Sequence, residues 1–252
     1  MASHRPAPET APLPPHPPLG RYYAGERERR RQVDAWFDEA APTYDWLGQV
    51  MSLGSGHRYR REALLRAGLA PGMRALDVGC GTGVLTAHAR GIVGPAGSAV
   101  ALDPSLGMLA ETGRKGVSRR VRALGEALPF AGERFDLLSM GYALRHVADL
   151  RAAFGEYRRV LKPGGRVLLL EITRPEGRLT LRLAKLFLGR LVPRLARLRG
   201  GRGPQVLMEY YWDTIEHCVA PATILAALTD AGFAQADRRV QYGILSEYSA
   251  VR

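Results

Sequence analysis

The run Asp77-Val78-Gly79-Cys80-Gly81-Thr82-Gly83 places three glycines at alternate positions behind an acid. Glycines at that spacing allow a tight turn and let a ligand approach the backbone. Ala75-Leu76-Asp77-Val78 reads as a short buried strand and Leu85 to Ile92 as a helix. The loop therefore sits where a strand passes into a helix N-terminus, with free N–H groups and the positive end of a dipole. A dinucleotide fingerprint would need a third glycine where Val84 stands, and no Lys-Ser/Thr follows to make a P-loop. Asp103 ends the next apolar run, ahead of Pro104. A carboxylate there can take both hydroxyls of a ribose. Singly, each glycine is a turn, Asp103 a helix cap and Cys80 a small filler rather than a nucleophile. In register, they call for a nucleoside that needs no pyrophosphate.

That order resembles the S-adenosylmethionine site of class I methyltransferases. Further along stand Gly125-Glu126-Ala127-Leu128-Pro129-Phe130, Phe135-Asp136 and Ala143-Leu144-Arg145-His146-Val147-Ala148-Asp149. Val160-Leu161-Lys162-Pro163-Gly164-Gly165 follows; Tyr44-Asp45, Met51-Ser52-Leu53-Gly54 and His57-Arg58 lie upstream. With these the chain resembles the UbiE family, C-methyltransferases acting on the quinol ring of ubiquinone and menaquinone precursors. The resemblance runs from about residue 34 to 175 and continues more weakly through Val192-Pro193-Arg194 and Ala231-Gly232-Phe233. It implies an α/β, Rossmann-like class I methyltransferase fold: a mostly parallel seven-stranded sheet, helices on both faces and a helical cap.

The resemblance also implies S-adenosylmethionine as cofactor. Its expected contacts are Asp77, Gly79, Gly81, Thr82, Gly83, Asp103, Pro104, Met108, Leu124, Gly125, Glu126 and Gly141, with Tyr44 closing from the N-terminal side. Some positions depart from the family. Leu124-Gly125 stands for Asn-Ala, Gly141 for Ser and His146 for Asn. One residue is inserted in the Ser55-Gly56-His57 turn, and Ser246-Glu247-Tyr248 replaces a basic ending. These departures bear on the acceptor more than on the cofactor.

Methyl transfer from a sulfonium is an in-line displacement, in which the protein orients the partners and excludes water. A ring carbon is a poor nucleophile until the neighbouring phenol loses its proton, and a cation beside that oxygen stabilises the phenolate. By resemblance Arg145 is the catalytic candidate, in an electrostatic role, since arginine is a poor base. Its alternative is an ion pair with Asp149 one turn on. His146 and His57 are better proton acceptors, or else polar residues at helix starts. No metal site is expected.

The positioning elements follow from periodicity. Residues 26–40 form a helix with Val33, Trp36, Phe37 and Ala40 on one face, broken at Pro42. A second helix spans 57–68. Apolar runs at 99–102, 135–140 and 166–172 read as strands, and 105–112 and 150–161 as helices, with a turn at Lys162-Pro163-Gly164-Gly165. Continuous apolar strands joined by helices indicate a mostly parallel sheet covered on both faces. Helices at 205–218 and 221–231 and strands near 234–240 and 243–250 close the chain.

Residues 174–218 interrupt that rhythm as a cap. Nine Arg or Lys stand against Glu176 in 174–202, so this stretch carries +8 of the chain's +12. Leucines alternate with arginines through 178–199, and Pro193 should break or kink the segment. Such a helix can lie on an anionic membrane surface, or cap the site with a solvated basic face. Tyr210, Tyr211 and Trp212 either line an acceptor pocket or pack in a core. Residues 1–20 hold seven of seventeen prolines and read as a disordered tail before a domain at 21–252.

The 252 residues are 46% apolar and 24% charged, enough for one large domain. No run of eighteen uncharged apolar residues occurs. Two cysteines fit a reducing compartment, and the N-terminus lacks the apolar run of a signal peptide. These point to a cytoplasmic protein, at most peripheral to a membrane. Nucleic-acid methylation would use the basic charge, but no (Asn/Asp/Ser)-Pro-Pro-(Tyr/Phe) or Pro-Cys motif occurs. Besides a quinol, the small-molecule acceptors that remain are a lipid amine or a secondary-metabolite phenol, methylated at C, N or O. A non-enzymatic cofactor-binding scaffold is also compatible, and a dimer is one option for assembly.

Overall fold

A computed structural model describes residues 11–252. Seven strands form one sheet: β1 (Arg74–Val78), β2 (Ser98–Leu102), β3 (Arg120–Val121), β4 (Phe135–Gly141), β5 (Leu161–Ile172), β6 (Ala234–Gln241) and β7 (Leu245–Val251). Their spatial order is 3-2-1-4-5-7-6. The first five run parallel, and β7 is antiparallel to β5 and β6. Alternation sends Leu76, Leu138, Val167 and Leu169 to one face. Ala75, Leu137, Leu168 and Leu170 go to the other. The first face packs on α5 (Leu150–Val160) and α9 (Pro221–Asp230), and the second on α2 (Gly56–Arg66) and α3 (Val84–Val93). Burial on both faces is why the central strands are continuously apolar.

Two sequence expectations change here. The turn expected at 162–165 is a bulge within β5, whose pairing jumps from Phe135 opposite Leu161 to Leu137 opposite Arg166. Strand β3 has only two residues at the sheet edge and no apolar run to announce it.

The cap has its own core. It comprises α1 (Glu26–Met51), α6 (Arg178–Leu186), a π-helical turn at Phe187–Leu191, α7 (Val192–Gly200) and α8 (Arg202–Glu216). Val33, Trp36, Ala40 and Leu47 of α1 bury against Ala184, Leu188, Val192, Ala196, Leu207 and Tyr210. The cap therefore includes the N-terminal helix as well as the 174–218 insertion. The break expected at Pro42 does not occur. Proline costs a helix interior about 3 kcal/mol, but buried residues on both sides of Pro42 pin one axis. The irregularity expected at Pro193 is the π-turn just before it. Pro193 itself falls in the first turn of α7, where its missing N–H matters least.

The disorder expected for residues 1–20 does not hold for 11–20; residues 1–10 lie outside the described residues. Leu13 N–H donates to the Asp149 carboxylate at 2.9 Å and its carbonyl accepts from Leu150 N–H. The Pro15 carbonyl accepts from Val219 N–H, and His16 is buried. A proline-rich stretch has few donors, but here its carbonyls find partners on the folded domain.

Candidate active site

At the C-terminal end of β1 the glycine loop opens a cavity of about 580 Å³, within the usual ~300–1,000 Å³ of small-molecule sites. Gly79 has φ 63 and an added Cβ would lie 2.5 Å from Ala143 Cβ, so only glycine fits. Gly83 is likewise left-handed and backs onto Thr112. Asp77 is buried, accepting from Thr86 Oγ1 at 2.6 Å and Ser139 Oγ at 2.8 Å. It braces β1 against α3 and β4, and thereby holds the loop. Cys80 is buried with its thiol pushed up by burial, a filler.

Asp103 accepts from Gly81 N–H at 2.8 Å and Ser105 N–H at 2.9 Å, one on each oxygen. Each oxygen keeps a further lone pair, so two ribose hydroxyls fit this carboxylate. Burial pushes it up to about 6 against the pull of those N–H groups. Pro104, Met108, Leu124, Gly125, Glu126 and Gly141 line the same cavity. Gly125 is pressed against Tyr157 Oη and Val78, leaving no room for a side chain.

Helix α1 closes over this floor. Thr82 Oγ1 donates to Asp45, which also pairs with Lys115 at 2.5 Å, while Lys115 donates to the Thr82 carbonyl. Asp38 accepts from Ser105 Oγ and Gly107 N–H at the start of α4 (Leu106–Arg114). Tyr44 lines the cavity between these two anchors. Asp38 and Lys115 were not among the expected site residues; only fold contacts reveal them.

The cavity also has an aromatic and aliphatic lining, with Phe37, Tyr44, Met51, Tyr142, Tyr211 and Ile244. Of the three aromatics left open by the sequence, Tyr211 lines the cavity, while Tyr210 and Trp212 pack in the cap core. His146 lies here between the Phe37 edge at 5.2 Å and the stacked Tyr210 ring at 5.7 Å. Both its ring nitrogens are buried and have no partner among the described residues. Burial, with the nearby Arg145 and Arg29, holds it well below the usual histidine value, so it is neutral. His57 lies at the exposed rim, its Nδ1 3.2 Å from His88 Nε2. Tyr142 has φ 63, a rare conformation for a bulky residue and a mark of a strained site.

Arg145 is elsewhere. Its side chain is wholly buried and does not line the cavity. It donates to Glu171 at 2.8 Å, Thr214 Oγ1 at 2.8 Å and the Tyr211 carbonyl at 3.2 Å, and it stacks on the Tyr211 ring. Burial opposes its charge, and the Glu171 carboxylate more than offsets that. The pairing with Asp149 does not form, because Asp149 caps α5 and holds Leu13. Arg145 thus pins the cap helix α8 to β5.

A doubly wound sheet of this order, with a glycine loop after β1 and an acid after β2, defines a class I S-adenosylmethionine-dependent methyltransferase. The chain belongs to the ubiE/COQ5 methyltransferase family, whose sequence model matches residues 25–252. A demethylmenaquinone methyltransferase of Symbiobacterium thermophilum is 40% identical over 156 residues, covering 59% of this chain and 62% of that protein. A ubiquinone/menaquinone biosynthesis C-methyltransferase UbiE of Shewanella sp. (strain W3-18-1) is 33% identical over 225 residues, covering 86% of this chain and 88% of that protein. Phosphoethanolamine N-methyltransferase 2 of Haemonchus contortus, solved with S-adenosyl-L-methionine, shares the fold. Its TM-score is 0.59 at 16% identity, over 85% of this chain and 57% of that one.

Proposed function

We propose that this protein methylates a ring carbon of a lipophilic quinol in ubiquinone or menaquinone biosynthesis. One observation carries the reading: a single cavity joins a ribose-ready polar end at Asp103 to an aromatic end at Phe37, Tyr44 and Tyr142. The relatives named for demethylmenaquinone and ubiquinone/menaquinone biosynthesis support it.

When bound, S-adenosylmethionine supplies an electrophilic methyl group on a sulfonium. Asp103 and the Gly79–Gly83 loop orient the nucleoside. The Thr82–Asp45–Lys115 link holds α1 over the site and excludes water. The aromatic end holds the ring flat, and His146, neutral and unpartnered, accepts a hydrogen bond from a ring hydroxyl. The test is methyl transfer from labelled S-adenosylmethionine to chemically reduced demethylmenaquinone, read by product mass. A ring-methylated product supports the reading. Cofactor binding without product shifts the acceptor to another phenol or to a lipid amine.

We also infer that α6 and α7 rest on an anionic bilayer, from which such an acceptor would come. Supporting this, α6 buries only Ala184, while Leu179, Leu183 and Leu186 are 69%, 57% and 55% exposed among the basic residues. Among the described residues no helix is long and apolar enough to cross a membrane. Replacing Arg182, Arg190, Arg194 and Arg197 with Gln should weaken sedimentation with phosphatidylserine vesicles. Failure of the parent to sediment ends this reading.

A further inference from the structure

Three arginines line the cavity: Arg29, Arg30 and Arg60. Arg29 is paired with Glu26 and donates to the His146 carbonyl, and Arg30 reaches Glu26 at 3.9 Å. Arg60 pairs with no carboxylate among the described residues; its guanidinium lies over the Tyr142 ring, 4.9 Å from the centroid. Gly56, one turn earlier on α2, leaves the space: a Cβ there would come within 2.5 Å of Arg60 Nη1. Tyr142 holds its left-handed conformation directly after β4, where the cofactor crevice meets the aromatic end. A half-buried cation with five donors and no anion is suited to a ligand oxygen that carries negative charge.

We infer that Arg60, rather than Arg145, is the catalytic cation that receives the acceptor's phenolic oxygen; this rests on the quinol reading above. The acceptor O–H bond breaks, its proton leaves to water at the cavity mouth, and its electron pair stays on oxygen beside the guanidinium. The resulting phenolate activates the adjacent ring carbon, and once that carbon is methylated its own C–H bond breaks, the proton leaving to water and the electron pair restoring the aromatic phenolate. Arg145 is less suited, since it is paired with Glu171 and is not among the residues that line the cavity.

The titratable groups on neighbouring elements that feel the Arg60 charge are Tyr44 on α1, Asp77 on β1, His88 on α3, Tyr142 after β4 and Tyr211 on α8. His57 shares its helix. Burial pushes all three tyrosine hydroxyls up, so none is an anion at neutral pH. Asp77 is committed to Thr86 and Ser139. Of the other acids that line the cavity, Asp45, Asp103 and Glu126 hold donors of their own, so among the described residues a bound phenolate meets one cation that has no carboxylate partner.

The experiment compares the parent with Arg60→Met and Arg60→Lys, each saturated with S-adenosylhomocysteine. Bound 1-naphthol is titrated by its ultraviolet spectrum, which separates naphthol from naphtholate. The parent should form naphtholate about one pH unit below free 1-naphthol, a tenfold preference for the anion. Arg60→Met should abolish that shift and Arg60→Lys should keep part of it. Calorimetric affinity for S-adenosylhomocysteine and the melting temperature should stay at parent values in both. Turnover of reduced demethylmenaquinone by Arg60→Met should fall about a hundredfold at neutral pH, with its acid limb moved upward. Identical naphthol titrations in parent and Arg60→Met overturn the inference. So does a tenfold loss of S-adenosylhomocysteine affinity with an unmoved titration, which would place Arg60 on the cofactor carboxylate. A parent that shifts naphthol but does not methylate the quinol leaves Arg60 standing and removes the quinol reading.

Discussion

The floor of the cavity and its lid are built by different rules. The floor hangs on backbone: Gly79 and Gly83 in left-handed turns, N–H groups fixing Asp103, and strands buried on both faces. The lid hangs on side chains from segments far apart in sequence, with α1 meeting α8 in one aromatic core and Arg145 tying α8 to Glu171. Backbone-held sites depend on local spacing. Side-chain-held sites depend on which distant residues meet. The cofactor, met by the floor, is thus specified by a short motif, whereas the acceptor is specified by contacts that no motif spells out.

The sharpest way to break that contrast is at Arg145. As the pin between lid and sheet, Arg145→Met leaves the Glu171 carboxylate buried without its counter-charge, which costs about 3–5 kcal/mol. A large fall in melting temperature is the expected outcome. Adding Glu171→Leu should recover most of it, because removing both charges of a buried pair is often neutral. The cofactor floor should be spared in the double variant, so S-adenosylhomocysteine still binds by calorimetry. An Arg145→Met protein with parent melting temperature and no turnover would instead make Arg145 a reacting group and Arg60 a bystander.

What the sequence made legible follows the same division. Asp77, Gly79, Gly81, Thr82 and Asp103 meet at the cavity because strand, turn and helix signals are local, while Gly83 turns away from it against Thr112. The parallel sheet covered on both faces follows from continuous apolar runs, whereas the strand order and the two-residue β3 do not. Pro42 misleads because helix propensity is local, while the burial of Trp36 and Leu47 on either side of it is not. Pro12 to Pro18 mislead because composition cannot report that Asp149 and Val219 wait to bond that stretch. Arg60 escapes notice for a related reason. In sequence it is one of several arginines on a basic helix, and only the fold shows that, among the described residues, it alone of the cavity's arginines lacks an acid.

On the floor, Asp103→Ala should weaken S-adenosylhomocysteine binding at least tenfold, about 1.4 kcal/mol or more, through the ribose hydroxyls and the freed Gly81 and Ser105 N–H groups. Near-parent affinity would mean that the floor does not hold the nucleoside through this acid. The lid would then carry part of what the comparison gives to the floor.

The smallest effect is a pH dependence confined to the floor. Burial raises Asp103 in the folded protein to about 6, above its ordinary value. A carboxyl raised on folding binds its proton more tightly in the folded state. Its contribution to stability is therefore present in full below the unfolded value near 4 and is lost as pH rises through 6. Cofactor binding runs the other way, since the ribose hydroxyls donate to the anion. S-adenosylhomocysteine affinity should be flat above neutral pH and fall about tenfold by pH 5, one unit below the folded value. Asp103→Asn should flatten that profile, because nothing at this position then titrates. Asp77, also raised to about 6, is committed to Thr86 and Ser139. Its protonation should alter the melting temperature more than the affinity. A profile unchanged in Asp103→Asn would shift the titration to Asp77 and make the loop's brace, rather than the ribose acid, the pH-sensitive part of the floor.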